Sequence, residues 1–404
     1  MVEYIHMKIL ISSESYWPNK DGGAVFERNL VHGLIDAGHE VRVLAPGKSW
    51  RHYEETDGES YIYRTASVRL PLNKDYKVTY YARHETLRAL NDFQPDVVHV
   101  HTMALTGLSL IRHARSRGIS AVATNHLMPE NVLMSFPKFI MNSERVQRFF
   151  WKTIVRFHNR FDAVSTPTES ATQPLRDHGL KSPLESISNG VDSEDFKPLG
   201  EHDKYEGVLD RFKLPKSYFM YLGRVNAEKR IDMTIDAFAI VAKENPKLHL
   251  VIAGSGNRVK ELEALSEEKG IKDRVHFLGL VSEDEKRALY QNAEFFIITS
   301  PAELQSIVLL EAMASGLPVI AVDVMALCEL CHDGENGYLL ELDDIRGCAA
   351  AIEKLHKDID LRQKYGKRSR EIILKDHAMN VTIEKYIKFY EIALSKNKHK
   401  KNVS

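Results

Sequence analysis

Two glutamates that stand eight positions apart, Glu303 and Glu311, are the first residues in this sequence whose setting suggests chemistry. Glu303 lies in a short loop after the apolar run 295–299, which is typical of a buried parallel strand, and Glu311 lies within a helix predicted over 306–315. A strand that leads into a helix N-terminus presents unpaired N–H groups and a positive dipole end, so it binds anions. Carboxylates on both sides of an anion site predict a ligand with hydroxyls as well as phosphate, such as a nucleotide sugar.

Two cations, Arg224 and Lys229, follow another apolar run at 218–222. The C-terminal ends of parallel strands form the ligand-binding edge of an open α/β sheet. Cations placed there would neutralise a diphosphate as it leaves. A solvated, charged turn is the alternative for this segment when it is taken alone.

Glycines occur in pairs at two predicted strand-to-helix junctions, Gly22 with Gly23 and Gly254 with Gly256. Glycine allows the backbone to approach a phosphate at a helix N-terminus, although turns also use such pairs routinely. Neither pair completes a dinucleotide-binding G-x-G-x-x-G motif or a P-loop, which disfavours oxidoreductases and nucleotide triphosphatases.

Three further positions carry polar or soft side chains. His126 follows the predicted strand 120–125 and is a candidate site residue, although a lone histidine is usually structural. Asn189 begins a turn before a predicted domain junction at 196–214 and is expected near an acceptor. The Cys328–His332 segment has the c-type haem attachment pattern, but haem would require export and zinc would require more ligands, so small buried thiols are favoured.

The elements that must position these residues form two series of alternating strands and helices, which predict two parallel, doubly wound sheets. The predicted strands lie at 8–12, 40–45, 96–101, 120–125, 162–165, 218–222, 248–253, 275–278, 295–299 and 318–322. Helices are predicted at 24–37, 79–93, 104–118 and 169–178, and a last amphipathic helix is predicted at 381–394, before a basic tail at 396–402 that is expected to be disordered.

One predicted helix, at 139–160, combines aromatic residues with arginines and few acids. Such a helix suits the headgroup region of an anionic membrane, and the alternative is a domain helix whose aromatics reach the core. The residues expected to contact a membrane or acceptor are Arg145, Arg148, Phe150, Trp151 and Arg156.

The whole-chain composition of 404 residues is that of a soluble globular protein, with 43% hydrophobic and 27% charged residues. The net charge of −1 does not favour nucleic-acid binding. We see neither a signal peptide nor an apolar run of about 18 residues, so a cytoplasmic protein, peripheral at most on the inner face of the cell membrane, is expected.

Taken together, these segments resemble the retaining glycosyltransferases of family 4. Glu303 and Glu311 match that family's E-x7-E motif and are followed by its Ala-Met-Ala-Ser-Gly-Leu-Pro-Val sequence at 312–319. Other matching segments occur in the family's order at 189–192, 223–229, 254–256 and 335–338, so the resemblance spans nearly the whole chain.

The resemblance implies the GT-B fold, in which two Rossmann-like domains face each other across a cleft. Residues 1–196 would be the acceptor-binding domain and 197–377 the nucleotide-sugar-binding domain. The last helix, 378–404, would pack back on the first domain. No permanently bound cofactor and no essential divalent metal are implied, because protein cations take the metal's place.

The resemblance also implies a role for each matching residue. Glu311 would bind the ribose hydroxyls, and Glu303 would lie beside the donor sugar and its phosphate. Arg224 and Lys229 would hold the diphosphate, and His126 would lie beside the donor sugar. The remaining donor-binding residues would be Gly22, Gly23, Gly254, Gly256, Ser306, Ile307 and Val308.

A narrower resemblance is to the diacylglycerol glucosyltransferases that make monoglucosyl diacylglycerol. It rests on Leu304-Gln305-Ser306, where many family members have an aromatic residue followed by glycine, and on the segment 124–131. The implied reaction transfers glucose from UDP-glucose to a hydroxyl of a lipid such as 1,2-diacylglycerol, with retention and without a covalent enzyme intermediate.

Several alternatives remain open at this point. One is a family-4 mannosyl- or other hexosyltransferase that acts on a soluble or inositol-lipid acceptor. Another is a UDP-N-acetylglucosamine 2-epimerase of the same fold. A third is a sensing or scaffold protein that binds nucleotide sugars without turnover.

Overall fold

The structure, a computed structural model, describes residues 6–19, 21–69, 77–129, 143–200 and 208–403. Its contacts divide the chain into two compact units. Unit 1 comprises Met1–Asn189 together with Met379–Ser404, and unit 2 comprises Gly190–Ala378. Unit 2 is therefore inserted into unit 1 in the order of the chain.

Unit 1 is built on one largely parallel sheet with the strand order β3-β4-β2-β1-β6-β7-β8-β9, and β5 pairs with β4. Its strands are β1 (Lys8–Ser12), β2 (Glu40–Pro46), β3 (Tyr53–Asp57), β4 (Ser60–Arg69), β5 (Lys77–Tyr81), β6 (Val97–Val100), β7 (Ser120–Thr124), β8 (Ala163–Thr166) and β9 (Leu184–Ser186). Its helices are α1 (Gly22–Asp36), α2 (Arg83–Phe93), α3 (Leu105–Ser116), α4 (Glu144–His158) and α5 (Glu169–Asp177), and α14 (Met379–Val403) completes it.

The centre of this sheet has the continuous apolar strands that helices on both faces require. Ile9, Leu10 and Ile11 of β1 are wholly buried. Strand β1 pairs in parallel with β6 on one side, where these residues align with Val97, Val98 and His99, and with β2 on the other side. The predicted strands at 8–12, 40–45, 96–101, 120–125 and 162–165 are therefore confirmed.

An antiparallel part of the sheet was not predicted. Strand β4 pairs in antiparallel fashion with β3 and with β5. The helix predicted over 79–93 begins at Arg83, because Lys77–Tyr81 is instead taken up by the pairing with β4.

Unit 2 contains a parallel sheet with the strand order β12-β11-β10-β13-β14-β15. Its strands are β10 (Tyr218–Leu222), β11 (His249–Ala253), β12 (Val275–Gly279), β13 (Phe296–Ile298), β14 (Val319–Val322) and β15 (Gly337–Leu340). Its helices are α6 (Val208–Phe212), α7 (Ile231–Val241), α8 (Val259–Glu268), α9 (Glu283–Asn292), α10 (Ile307–Ala314), α11 (Leu327–Leu330), α12 (Ile345–Lys357) and α13 (Ile359–Ile372).

This strand order is that of a doubly wound dinucleotide-type sheet, which confirms the predicted fold class. The chain leaves β10 towards β11 on one side and later returns to β13 on the other, so the order reverses between β10 and β13. Ligands of such sheets bind at this switch point, beyond the C-terminal ends of the two strands.

Helix α14 belongs to unit 1, although the chain enters it from unit 2. Its buried side chains include Ile383, Tyr386, Ile387, Phe389, Tyr390 and Ala393. The helix extends to Val403, so the predicted disorder of 396–402 is wrong. Asn397 contributes to this extension by donating hydrogen bonds to the Gly118 carbonyl and the Ser120 hydroxyl.

The two points at which the chain passes between the units lie side by side. The Val191 amide donates a 2.9 Å hydrogen bond to the His377 carbonyl, and Val191 forms an isolated bridge with Ala378. Phe196 packs against Tyr290 of α9, so residues 190–196 belong to unit 2 rather than to the predicted first domain 1–196.

Among the described residues, none of the helices is both long enough and apolar enough to span a membrane.

Candidate active site

The switch point of unit 2 brings together a cation and a carboxylate predicted for the site. Lys229 follows β10 and Glu303 follows β13, and the Lys229 Nζ lies 2.5 Å from the Glu303 Oε1. The exposed fractions of these side chains are only 12% and 13%. The pair therefore forms a largely buried ion pair at the position where a doubly wound sheet binds its ligand.

Two hydroxyls at the end of β13 fix the backbone that carries Lys229. The Thr299 hydroxyl lies 2.9 Å from the Arg230 carbonyl and 3.2 Å from the Lys229 carbonyl, and the Ser300 hydroxyl donates to the Glu228 carbonyl at 3.3 Å. Thr299 and Ser300 were not predicted as site residues. Both are wholly buried, so they hold the two loops of the switch point in one arrangement.

Arg224 contributes a more exposed positive charge beside this pair. Its side chain is 72% exposed, and its guanidinium is 3.6 Å from the Glu228 carboxylate. The Tyr221 hydroxyl donates to the Arg224 carbonyl at 2.8 Å, which fixes the backbone while the side chain faces solvent. Such a residue can turn towards an anionic ligand at little cost.

The N-terminus of α10 is also at this edge. Ser306 is its N-cap residue and makes no side-chain capping hydrogen bond, and Ile307 and Val308 form the first turn. The first turn contains no acidic residue. The positive end of the helix therefore lacks a capping carboxylate, which suits a phosphate.

Glu311 lies deeper in the same helix, where its carboxylate is 2.7 Å from the Lys286 Nζ and accepts a 3.1 Å hydrogen bond from the Tyr290 hydroxyl. Lys286 also pairs at 2.8 Å with Glu283, whose side chain is 67% exposed. Burial raises the pKa of Glu311, while Lys286 opposes that shift. Burial alone would lower the pKa of Lys286, but the charges and hydrogen bonds of Glu311 and Glu283 together outweigh it, and the pKa is raised.

The glycines of unit 2 are needed where two loops approach each other. A Cβ atom on Gly254 would lie 1.9 Å from the Gly223 carbonyl oxygen, and one on Gly256 would lie 2.1 Å from the Val225 carbonyl oxygen. Gly254 also has a φ of +133°. These contacts give both glycines a packing role, and their contact with a donor stays a prediction.

In unit 1, Gly22 and Gly23 open α1, but the anion position there is occupied by a residue of the chain. Asp21 caps the helix by accepting a 3.1 Å hydrogen bond from the Ala24 amide, and the Ser15 hydroxyl donates to the same carboxylate. A carboxylate at a helix N-terminus competes with a phosphate for the same N–H groups. This helix is therefore less suited to a phosphate than α10.

His126 lies at the C-terminal edge of the unit 1 sheet in a cluster with His101 and Glu27. The His126 Nε2 is 3.3 Å from the His101 Nδ1, which is 3.8 Å from the Glu27 Oε1. Among the described residues, the His101 Nε2 and the Glu27 Oε2 have no hydrogen-bond partner. Burial raises the pKa of Glu27 well above its usual value and lowers the pKa of His126 to about 4.

A cavity of about 250 Å³ adjoins this cluster. Its walls are formed by the ends of β6 and β7 and by α4; the lining residues are His101, Thr102, Met103, Thr124, Asn125, His126, Leu127, Ile154, Phe157 and His158. Sequence reasoning selected only His126 of this group. Thr124, Asn125 and Leu127 lie in the segment 124–131 that supports the narrower resemblance, whereas the rest lacked a signal because their segments are far apart in the chain.

Helix α4 turns a basic face outwards and an aromatic face inwards. Arg145, Arg148 and Arg156 are exposed, but Trp151 is buried and stacks on His178 with ring centroids 4.6 Å apart. Phe150 is half-buried, while Phe149, which was not predicted, is 67% exposed. The aromatic residue on the outer face is thus Phe149 rather than Trp151.

Three further predictions concern Asn189, the segment around residue 130 and the cysteines. Asn189 is buried at the end of the first segment of unit 1. Residues 130–142, which include the end of the 124–131 segment and the start of the predicted helix 139–160, lie outside the described residues. Cys328 is half-buried and Cys331 buried, and both are free thiols.

The fold is shared with solved glycosyltransferase structures. Sucrose-phosphate synthase from Thermosynechococcus elongatus is 20% identical, has a TM-score of 0.77, and the match covers 97% of this chain and 100% of that one. HepE of Anabaena, solved in complex with UDP-glucose, is 18% identical with a TM-score of 0.72, and the match covers 96% of this chain and 100% of that one. The two Rossmann-like units are thus those of the GT-B glycosyltransferase fold.

Two family models match nearly consecutive parts of the chain. Residues 210–372 match the family described as glycosyl transferases group 1, and residues 20–195 match the one described as glycosyltransferase family 4. The chain therefore contains a glycosyl transferases group 1 domain and a glycosyltransferase family 4 domain, and it is a nucleotide-sugar-dependent glycosyltransferase.

The relatives differ in their reactions. An alpha-monoglucosyldiacylglycerol synthase of Streptococcus pneumoniae is 29% identical over 338 residues, which cover 82% of this chain and 75% of that protein. An N-acetyl-alpha-D-glucosaminyl L-malate synthase of Bacillus anthracis is 26% identical, and the match covers 98% of this chain and 100% of that protein. A GDP-mannose-dependent alpha-mannosyltransferase of Corynebacterium glutamicum is 25% identical, and the match covers 84% of this chain and 78% of that protein. The names of these relatives give three different sugars, and the two acceptors that are named, diacylglycerol and malate, also differ.

Proposed function

We propose that this protein transfers a hexose, namely glucose from UDP-glucose, to a hydroxyl of a lipid such as 1,2-diacylglycerol at a membrane surface, with retention at the anomeric carbon. The observation that carries the site assignment is the buried Lys229–Glu303 pair at the switch point, next to the uncapped N-terminus of α10. The glucose donor and the lipid acceptor are supported by the relative from Streptococcus pneumoniae.

The leaving diphosphate is stabilised by positive charge that is in place before the reaction. Lys229, Arg224 and the backbone N–H groups at the start of α10 bind its oxygens as negative charge develops on them. A key donor fixed in this way lowers the activation free energy by on the order of 3–4 kcal/mol, because it need not reorganise in the transition state. These cations take the place of a divalent metal, so turnover should survive a metal chelator.

The sugar and ribose are held by the two glutamates. Glu303 accepts hydrogen bonds from hexose hydroxyls and keeps Lys229 in position, and Glu311 accepts them from the ribose. The acceptor hydroxyl attacks the anomeric carbon from the face that the diphosphate leaves, and the diphosphate takes the acceptor's proton. A contact of His126 with the hexose stays a prediction of the family resemblance.

Assays with purified protein test this assignment directly. UDP-glucose, other UDP-sugars and GDP-mannose are supplied separately with diacylglycerol in vesicles or with soluble acceptors, and the anomeric configuration of the product is determined. We expect an α-glucolipid from UDP-glucose. Lys229→Ala and Glu303→Gln should each lower kcat by at least about a hundredfold while the folded spectrum is kept.

Matched controls separate the site from general damage. Lys243→Ala in the exposed turn after α7 and Glu353→Gln on α12 remove one charge each from unit 2 and should leave turnover unchanged. Full activity of both site variants would refute the site. Activity with GDP-mannose alone would favour a mannosyltransferase, as in the relative from Corynebacterium glutamicum, and conversion of the nucleotide sugar without acceptor would favour an epimerase.

The lipid part of the proposal has its own test. Arg145, Arg148 and Arg156 are exposed on one face of α4 beside Phe149, and each basic residue near an anionic surface contributes about 1 kcal/mol. The triple change of these arginines to Gln should therefore weaken binding to phosphatidylglycerol-rich vesicles roughly a hundredfold.

A variant with the same change of charge serves as the control for vesicle binding. Lys272, Lys354 and Lys357 are exposed in unit 2, and their triple change to Gln should leave vesicle binding nearly intact. If both variants lose vesicle binding equally, the effect is one of net charge, and α4 is not the membrane-binding face.

A further inference from the structure

Three potential metal ligands meet at the β3 edge of the unit 1 sheet, beside the C-terminal end of β2. His52 directly precedes β3, and His84 and Glu85 lie in the first turn of α2. One ligand atom from each residue lies within 4.8 Å of the other two. The imidazole rings are stacked with centroids 5.3 Å apart. Two different segments of the chain therefore converge on one carboxylate.

The spacing of these atoms is close to that of a tetrahedral metal site. The Glu85 Oε1 lies 2.9 Å from the His84 Nδ1 and 3.8 Å from the His52 Nδ1. Ligands at about 2.0–2.1 Å from a tetrahedral zinc ion lie roughly 3.3 Å from one another. These two distances lie on either side of this value, and all three ligand atoms lie within 4.8 Å of one another.

The second oxygen of the Glu85 carboxylate has no close partner among the described residues. The Glu85 side chain is 1% exposed, and this second oxygen is its Oε2. Arg88 lies nearby, but its guanidinium is 3.9 Å from that oxygen and is also paired with Glu54 and Asp92. A buried carboxylate with an unsatisfied oxygen is costly unless a cation or a donor reaches it.

Two existing contacts would be exchanged on metal binding. The His84 Nδ1 and the Glu85 Oε1 share a 2.9 Å hydrogen bond, and both atoms would bind the metal instead. The Ala66 amide donates a 3.2 Å hydrogen bond to the His52 Nδ1, the lone pair that would bind the metal. This bond is at the long end of the normal range, and Ala66 lies where the pairing of β4 with β5 shifts register. The exchange therefore replaces these two hydrogen bonds with three bonds to the metal.

We propose that His52, His84 and Glu85 bind a zinc ion, with water as the fourth ligand. Two imidazoles and one carboxylate are the ligands that zinc prefers, whereas calcium and magnesium require oxygen ligands. His84, with its side chain 62% exposed, gives the ion a path from solvent. The ion joins the segment before β3 to the start of α2, so its role is structural, and it does not depend on the proposed glycosyl transfer.

Zinc titration of the full chain, prepared without a polyhistidine tag, tests the site. With a fluorescent chelator as competitor, we expect one zinc ion per chain and an increase in Tm when zinc is added. Loss of a residue that only supports a ligand typically weakens metal affinity about 10–100-fold, so His84→Ala and Glu85→Gln should weaken it at least tenfold. His84 is exposed, so its variant should fold normally and keep the test valid if Glu85→Gln does not fold.

Two control variants identify binding elsewhere. His113→Ala removes a half-buried imidazole on α3, and Cys328→Ser removes a half-buried thiol that also attracts zinc. Both should keep the ion and the increase in Tm. The proposal is overturned if the unmodified chain binds no zinc more tightly than the control protein with all three ligands replaced, or if only Cys328→Ser removes the binding.

Discussion

At the scale of single residues, Lys286 lies between two carboxylates with very different surroundings. Glu311 is 4% exposed and Glu283 is 67% exposed, and both carboxylates are within 2.8 Å of the same ammonium group. The pair with Glu311 is shielded from water, whereas the pair with Glu283 is screened. The same cation therefore offers an internal comparison of buried and exposed ion pairs.

Removal of the buried partner should cost far more stability than removal of the exposed one. Glu311→Ala leaves Lys286 mostly buried with a single exposed partner, and breaking such a pair costs about 3–5 kcal/mol. Glu283→Ala should cost about 0–1 kcal/mol. Urea unfolding of both variants measures the difference, and similar costs would contradict the assignment of Glu311 to a desolvated pair.

The sequence motif located Glu303 and Glu311 but not the residues that hold them. Lys286 is 25 positions from Glu311 and lies on a helix whose charged sequence resembles a solvated surface helix. Thr299 and Ser300 look like ordinary strand-end residues, and their contacts with the loop at 228–230 depend on the pairing of β10 with β13. Such partners depend on tertiary packing, which local patterns do not encode.

At the scale of elements, α14 is attached to unit 1 by polar as well as apolar contacts. The Tyr390 hydroxyl is 2.9 Å from the His99 Nδ1, and the His99 Nε2 is 2.8 Å from the Thr124 hydroxyl. His99 is wholly buried between β6 and the helix. This chain of hydrogen bonds fixes the rotation of α14 on the sheet.

Tyr390→Phe should therefore destabilise unit 1 by about 1–3 kcal/mol, because it leaves a buried imidazole nitrogen without a partner. Thermal or urea unfolding measures the change. Tyr80→Phe is the matched control, because the Tyr80 hydroxyl donates to the Trp50 carbonyl at an exposed position, and it should change stability by less than about 0.5 kcal/mol. Equal effects would show that the buried network contributes nothing specific.

Buried parallel strands and the helices between them could be predicted, because continuous apolar runs and the alternation of strand and helix patterns mark both. The antiparallel strands β3, β4 and β5 were missed. Arg64 is buried within β4, where it pairs with Glu55, so the strand lacks a clear alternation of apolar and polar residues. Strand β15 was also missed, because it is only four residues long and its pairing with β14 is not local in the sequence.

At the scale of the whole molecule, buried histidines make stability depend on pH. Burial lowers the pKa of His99 to about 3 and that of His158 to about 4. In the unfolded chain, these groups titrate near 6.5, so between pH 6.5 and 4 the unfolded state binds protons that the folded state does not. The stability they contribute is present above pH 6.5 and is lost as the pH falls. Glu27, whose pKa is raised by burial, acts in the opposite direction.

Variants should separate these opposing contributions. Between pH 7.5 and 5.5, His158→Gln should lose about 1.4 kcal/mol less stability than the unmodified chain, because one titrating imidazole is removed. Glu27→Gln should lose more than the unmodified chain. Urea unfolding at both pH values measures the slopes, and parallel slopes in all three proteins would exclude these groups as the source.

The insertion of unit 2 into unit 1 has a consequence for folding during synthesis. The ribosome completes unit 2 at Ala378, when its two ends already lie together at Val191 and His377. Unit 1 begins first but cannot cover its sheet until the buried residues of α14, as far as Ala393, have left the ribosome. The first part of the chain to be made is thus the last to be finished, and an incomplete nascent chain exposes an apolar sheet surface to chaperones and proteases.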